Sequence, residues 1–424
     1  MRRLRGLLAD TRPLKVPAYR RLFTAQIVTV IGAQLTVVTV PAQIYSMTGS
    51  SAYVGLTGLF GLVPLVIFGL YGGSLADHFD RRRLLTFTTW GLILTSAAFW
   101  VQAALGNTNV WLLLGIFSLQ QAFFGVNQPT RSAVLPRILP AELLPAANTL
   151  NMTVFTGGAI AGPLVGGALI PVLGFSWLYL VDTIFLFATL AAVISLPPLP
   201  VEVVAGSSPG IRSVIDGFVY LGTQPVLLMS FVVDLIAMVF GMPRALIPEM
   251  AHVDFGGPDE GGLAFALLFA AMPIGAFLGG VMSGWVSRVE RQGLAVTVAI
   301  LVWGAAIIGF GVAVALADGL LVPWLAIACV FFAIGGAADT ASAAFRSTML
   351  QTAATDAMRG RLQGVFIVVV AGGPRVADVL HGLVAGQVGT AAATIGGGVL
   401  VIIGTLVATA WVPALVRYRV PRAG

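Results

Sequence analysis

The sequence is poor in nearly everything a soluble surface requires. Charged residues make up 9% of its 424 positions, against about 25% in soluble domains. Polar groups this sparse cannot cover a globule of such length, which excludes water as the main solvent and leaves the lipid bilayer. Cysteine occurs once, at Cys329, so an intramolecular disulfide is excluded. Lysine also occurs once, at Lys15, with no phosphate loop before it, so the chain alone cannot be a nucleotide-driven pump. The three histidines, His78, His252 and His381, are scattered and form no H-E-x-x-H pair. Neither a metal site nor a cofactor is expected from them. Gly72-Gly73-Ser74-Leu75-Ala76 has the small residues of a nucleophile elbow but lies at a helix end, away from any strand–turn–helix, so an enzyme is not expected. Segments of about 10 alternating residues, the mark of a porin-like barrel, are missing as well.

What is abundant is apolar. Hydrophobic residues reach 58% and the mean hydropathy is +0.96. Apolar runs near 20 residues recur throughout, beginning at 21–42, 52–75 and 84–105, and amount to roughly twelve spans. Backbone groups in hydrocarbon must be paired within each span, so an all-α membrane protein is predicted. The first run follows Arg2, Arg3, Arg5, Arg12 and Lys15. It is too long for the apolar core of a secretory signal and lacks a cleavage site, so it reads as an uncleaved first span. With alternating sides, 21 of the 23 lysines and arginines fall on one face, Arg131 and Arg346 among them. The opposite loops carry only Asp254, Asp259, Glu260 and Asp318. By the positive-inside rule both termini are cytoplasmic and the 251–262 loop is external. The net charge of +6 is spread over span ends and is no nucleic-acid footprint.

The longest polar interruption, 197–224, opens with Pro197-Pro198-Leu199-Pro200 and contains Ser207-Ser208-Pro209-Gly210. Such density of helix breakers marks a linker. It divides the chain into a six-helix bundle at 1–196, a cytoplasmic linker at 197–224 whose part 211–221 forms a short amphipathic helix, and a second six-helix bundle at 225–424. The halves are alike. Leu59-Phe60-Gly61-Leu62-Val63-Pro64 parallels Leu268-Phe269-Ala270-Ala271-Met272-Pro273, Gly72-Gly73 parallels Gly279-Gly280, and Arg131 parallels Arg346. The offsets stay between 207 and 215, which implies a parallel repeat about an axis along the membrane normal.

Two motifs identify a family. Gly73-Ser74-Leu75-Ala76-Asp77-His78-Phe79-Asp80-Arg81-Arg82-Arg83 resembles the G-x-L-A-D-x-x-G-R-R signature of the major facilitator superfamily, at the family's own place between spans two and three. His78 and Asp80 depart from it, where a basic residue and a glycine are usual. Gly158, Gly162, Pro163, Gly166 and Gly167 in span five resemble the glycine–proline motif of exporters in that superfamily, with Thr149 in place of an upstream glycine. Read bottom-up, the same five residues make a flat face for close helix packing, with a proline bend. Val40-Pro41-Ala42-Gln43-Ile44-Tyr45-Ser46-Met47-Thr48-Gly49-Ser50, leading into Val54-Gly55-Leu56, narrows the likeness to the enterobactin-exporter branch. Thr348-Met349-Leu350-Gln351-Thr352 and Met358-Arg359-Gly360-Arg361-Leu362 point to the same branch. The resemblance implies two pseudo-symmetric six-helix bundles and a monomeric protein of a bacterial inner membrane. It further implies a secondary exporter that exchanges a small molecule for protons by alternating access. A catecholate-type siderophore is the expected cargo, with multidrug or macrolide efflux as the alternative. It also implies a gating latch in which Gly73, Asp77, Arg81 and Arg131 hold the cytoplasmic ends of the halves together.

Ionisable residues within spans are Asp182, Asp234, Arg244, Glu249, Asp339, Arg375, Asp378 and His381, and only Asp182 belongs to the first half. Each needs a partner, a cavity or a proton. Arg375 and Asp378 share a helix face, as do Asp339 and Arg346. Asp378, Arg375, Asp339 and Asp234 are therefore candidates for proton coupling, or for structural pairs that let the helices insert. Arg244 and Glu249, beside Pro243 and Pro248, fit an outer gate or interfacial anchors. Asp182 fits a capped polar residue between helices. Gln26, Gln34, Gln43, Gln120, Gln121 and Asn127 fit either a polar cavity or interhelical hydrogen bonds.

Overall fold

The structure, a computed structural model, describes residues 10–198, 211–317, 319, 322–353 and 356–419. Helices α1 (Pro17–Thr48), α2 (Ser51–His78), α3 (Arg81–Ala104), α4 (Val110–Ile138) and α5 (Leu144–Ile194) come first. A short α6 (Ile211–Gly222) precedes α7 (Pro225–Phe240), α8 (Leu263–Val281), α9 (Gln292–Ala315), α10 (Trp324–Ala353), α11 (Asp356–Val388) and α12 (Thr390–Trp411). The described residues contain no strand. Ten stretches among them are long and apolar enough to cross a membrane. One is the stretch that contains α5, yet Gly174 stands inside that helix at φ 75° and ψ 168°. That conformation is essentially open to glycine alone, and it splits α5 into two arms. With both arms counted, and with α11, whose 33 residues also suffice, the number of spans reaches twelve.

Local sequence explains where the helices begin and end. Asp80 is the N-cap of α3, its Oδ1 accepting the Arg83 N–H at 2.9 Å. The departure from the superfamily signature at position 80 thus has a local cause, since a carboxylate satisfies an orphan N–H that glycine leaves open. Asn109 caps α4 in the same way, accepting from Trp111 and Leu112. At the end of α7 two open carbonyls find partners elsewhere: Trp303 Nε1 donates to Gly241 O at 3.1 Å, and His381 Nε2 lies 3.1 Å from Phe240 O. These contacts tie the end of α7 to α9 and α11.

The chain forms two compact units. One is Met1–Val40 with Val63–Gly210; the other is Pro41–Leu62 with Ile211–Gly424. In the first, α3 packs on α4 and α5. A layer of Leu22, Leu85, Val134 and Val193 joins α1, α3, α4 and the second arm of α5. In the second, α9 packs against α10 and α12, and α8 against α10, around the fully buried Trp303, Ile300 and Phe310. The α1–α2 turn belongs to this second unit. There Gly55 lies so close to α11 that an added Cβ would stand 2.5 Å from the Asp378 carbonyl oxygen. Large apolar side chains are exposed along the spans, Phe87 at 66% and Leu94 at 65% among them. A surface of that kind is stable only against lipid.

Candidate functional site

Charges inside the spans are where transport chemistry is sought, because each opposes insertion by about 2.5–3.5 kcal/mol. In the second unit Asp234 of α7 and Arg346 of α10 form an ion pair, their side chains 1% and 4% exposed. Arg346 Nε also donates to Ser342 Oγ at 3.2 Å, one turn back along α10. Arg346 therefore does not belong with the loop cations, where its place in the chain had put it. Its partner lies on another helix, where sequence spacing pointed to Asp339 on its own. Asp339 is close enough to feel the charges of both Arg346 and Asp234. Its Oδ1 is buried with no hydrogen-bond partner among the described residues.

A second charged group occupies α11. Asp378 is buried at 6% exposure, and the charges of Arg244 and Arg375 act on it. Gly55 and Gly58 of α2 pack on this turn, where a side chain would collide with the α11 backbone. The Arg244 guanidinium lies 5.6 Å from the ring centre of Phe269, a cation–π contact. Glu249 Oε2 accepts the Ser51 N–H at 3.2 Å, placing a carboxylate at the N-terminus of α2. Both residues are engaged by protein groups. His381 serves the structural bond to Phe240 described above.

The first unit handles its polar groups differently. Arg131 Nη2 of α4 donates to Gln26 Oε1 of α1 at 3.0 Å and to Leu22 O at 3.5 Å. Arg81 Nη1 donates to Ala133 O at 3.4 Å. Gly73 and Asp77 fall within α2, and their surroundings lie outside the described residues. Asp182 is 2% exposed, with Oδ2 accepting from Thr36 at 2.8 Å and from Ser96 at 2.9 Å. It ties the second arm of α5 to α1 and α3, as a capped polar residue does. Asn127 Nδ2 donates to Thr88 Oγ1 at 2.8 Å, so it and Gln26 serve interhelical bonds.

The glycine stripe of α5 faces α1. A Cβ added at Gly158 would strike Val30, one at Gly162 would strike Gln34, and one at Gly166 would come within 2.9 Å of Val38. The contacts advance four residues at a time on both helices, so the two surfaces interlock over about two turns. Spacing revealed the stripe but not its partner. Thr36, Ser96 and Ser342 were missed altogether, because single hydroxyl residues in an apolar helix carry no periodic signal. Among the described residues no group of three His, Cys, Asp or Glu side chains could hold a metal ion.

The profile of the transmembrane secretion effector family matches residues 9–417. The enterobactin exporter EntS of Shigella boydii serotype 18 is 28% identical over 392 residues, covering 92% of this chain and 91% of that protein. The enterobactin exporter EntS of Citrobacter koseri is 27% identical over 395 residues, with the same coverage. Among solved structures, a mutant of the nucleoside transporter NupG superposes with a TM-score of 0.76 at 12% identity, over 93% of this chain and all of that one. A bacterial homologue of the iron transporter ferroportin gives 0.69 at 12% identity, over 95% and 99%. Identities this low speak to the fold alone, and the fold is that of the major facilitators.

Proposed function

The chain belongs to the transmembrane secretion effector family of the major facilitator superfamily, and on that premise we propose that it exports a catecholate-type siderophore across the bacterial inner membrane in exchange for protons. The observation that carries this reading is the likeness to enterobactin exporters, which runs through 92% of the chain and 91% of theirs, both halves included. The protein works as a monomer by alternating access, with both termini in the cytoplasm. Asp378, Arg375, Asp339 and Asp234 form the coupling set, which is supported by the burial of Asp378 and Asp234 in a region where an uncompensated charge is expensive. Gly73, Asp77, Arg81 and Arg131 form the latch at the cytoplasmic ends. Gly158, Gly162, Pro163, Gly166 and Gly167 give α5 the smooth face on which α1 packs.

A deletion strain under iron limitation tests the cargo. Secreted catechol is expected to fall and the internal pool to rise, with both restored by the gene in trans. Unchanged secretion together with new sensitivity to macrolides or other hydrophobic drugs assigns the protein to multidrug efflux instead.

A further inference from the structure

The ion pair between α7 and α10 leaves a charge over. Asp234, Asp339 and Arg346 lie together, two carboxyl groups to one guanidinium, with Asp234 and Arg346 almost wholly buried. Among the side chains described around them, none supplies a second cation. Helices α8, α9 and α12 contain no charged residue at all, nor does the 41–62 segment, and α7 contains only Asp234. The half-buried Arg244 and Arg375 act on each other and on Asp378. Asp378 lies 22 residues into α11, whereas Asp234 lies nine residues into α7, so the groups sit at different depths. His381 is held against the Phe240 carbonyl. With every group ionised, the α7–α10 cluster would carry one net negative charge in surroundings that solvate it poorly.

The two carboxyl groups are not equivalent. Asp234 meets the guanidinium directly. Asp339 does not: its buried Oδ1 lacks a hydrogen-bond partner among the described residues, whereas the Asp234 oxygens, also without a hydrogen bond, lie against the guanidinium. An unpartnered oxygen is far better tolerated on a neutral carboxyl group than on a carboxylate. We propose that Asp339 carries the proton that balances this cluster, while Asp234 and Arg346 remain an ion pair, and that this is the proton given up in exchange for cargo. The last clause rests on the antiport reading above; the protonation of Asp339 does not.

Infrared spectroscopy of the purified full chain in lipid nanodiscs separates the two statements. The difference spectrum between wild type and Asp339→Asn should contain the carbonyl stretch of a protonated carboxyl group, lost in the variant. Asp234→Asn should lose the same band, because removing either carboxyl group balances the charge and leaves the other ionised against Arg346. Asp378→Asn should retain it. Melting temperatures of the variants show that each is folded, and should Asp339→Asn fail to fold, Asp234→Asn carries the test. A band unchanged in both Asp339→Asn and Asp234→Asn overturns the protonation, as does the absence of any such band in wild type because the surplus carboxylate holds Na+. If the band behaves as expected and Asp339→Asn still secretes catechol at the wild-type, proton-dependent rate, the coupling role is overturned and the proton is structural.

Discussion

Each unit carries an arginine on its fourth helix that reaches to its first. In the first unit Arg131 of α4 donates to Gln26 of α1; in the second Arg346 of α10 pairs with Asp234 of α7. The positions correspond, with offsets of 215 for the arginines and 208 for their acceptors. A neutral amide in one place is a carboxylate in the other. The glycine stripe diverges in the opposite sense. Gly158, Gly162 and Gly166 on α5 become Gly373, Ala377 and His381 on α11, where Gly373 still meets its counterpart helix closely, a Cβ there lying 2.7 Å from Met238, and His381 bonds to the last carbonyl of that helix. One architecture thus supports two bonding schemes. Both units pack helices closely at glycines, but the first sets its arginine against neutral oxygens while the second adds an ion pair and bonds to open carbonyls. The second unit concentrates the buried charge, in Asp234, Arg346 and Asp378.

The comparison breaks most readily at the two arginines. Arg346→Ala leaves the buried Asp234 carboxylate without its cation and should cost about 3–5 kcal/mol, enough to remove most folded protein. Arg131→Ala removes hydrogen bonds to neutral oxygens and should cost about 1–3 kcal/mol. Size-exclusion profiles and melting temperatures of the two variants rank them, and equal damage would mean that the acceptor's charge does not matter. Next in size is packing. Gly162→Ala drives a methyl into Gln34 and should destabilise by about 1–3 kcal/mol. Gly157→Ala, with nothing within 4 Å of the new atom, should leave the melting temperature unchanged. Similar shifts at both would remove the case for an interlocked stripe. For the proposed latch, Asp77→Asn should abolish most catechol secretion at an undiminished expression level; wild-type secretion at matched protein level rejects it. The smallest effect sharpens the comparison instead. Gln26→Glu converts the pair of the first unit into a copy of the second, and because a buried ion pair roughly balances its own desolvation, the melting point should move by the equivalent of no more than about 1 kcal/mol.

Much of the fold was legible because hydropathy integrates over whole spans. Helix α6 at Ile211–Gly222 appears where breakers give way to an amphipathic segment, and the twelve spans follow the apolar runs. The site was less legible, since single contacts depend on helix register. Spacing within α10 pairs Arg346 with Asp339, seven residues away, and contains no reference to α7, more than a hundred residues earlier. The repeat held the missing information: carried across by 208 residues, Gln26 leads to Asp234. Recognising it required knowing that Arg131 and Gln26 touch, and two uncharged or singly charged residues in an apolar sequence do not announce that. Asp182 is the opposite case, a charge conspicuous in the sequence whose hydroxyl partners, Thr36 and Ser96, were not.

The break at Gly174 bears on how the protein enters the membrane. After Leu143 the chain crosses, reverses at a single residue and crosses back before Ser195, without a polar stretch between the arms. The second arm, at 1.5 Å per residue, is about 30 Å long, no more than the hydrocarbon core itself. A growing chain at this point has no hydrophilic segment on which the first arm could rest, exposed on the far side, while the second is made. The two arms must leave the ribosome and partition into lipid as one hairpin, so the fifth and sixth spans are a single unit of insertion. A tag or protease site introduced at this turn would therefore interfere with the birth of the protein before it reported on its topology.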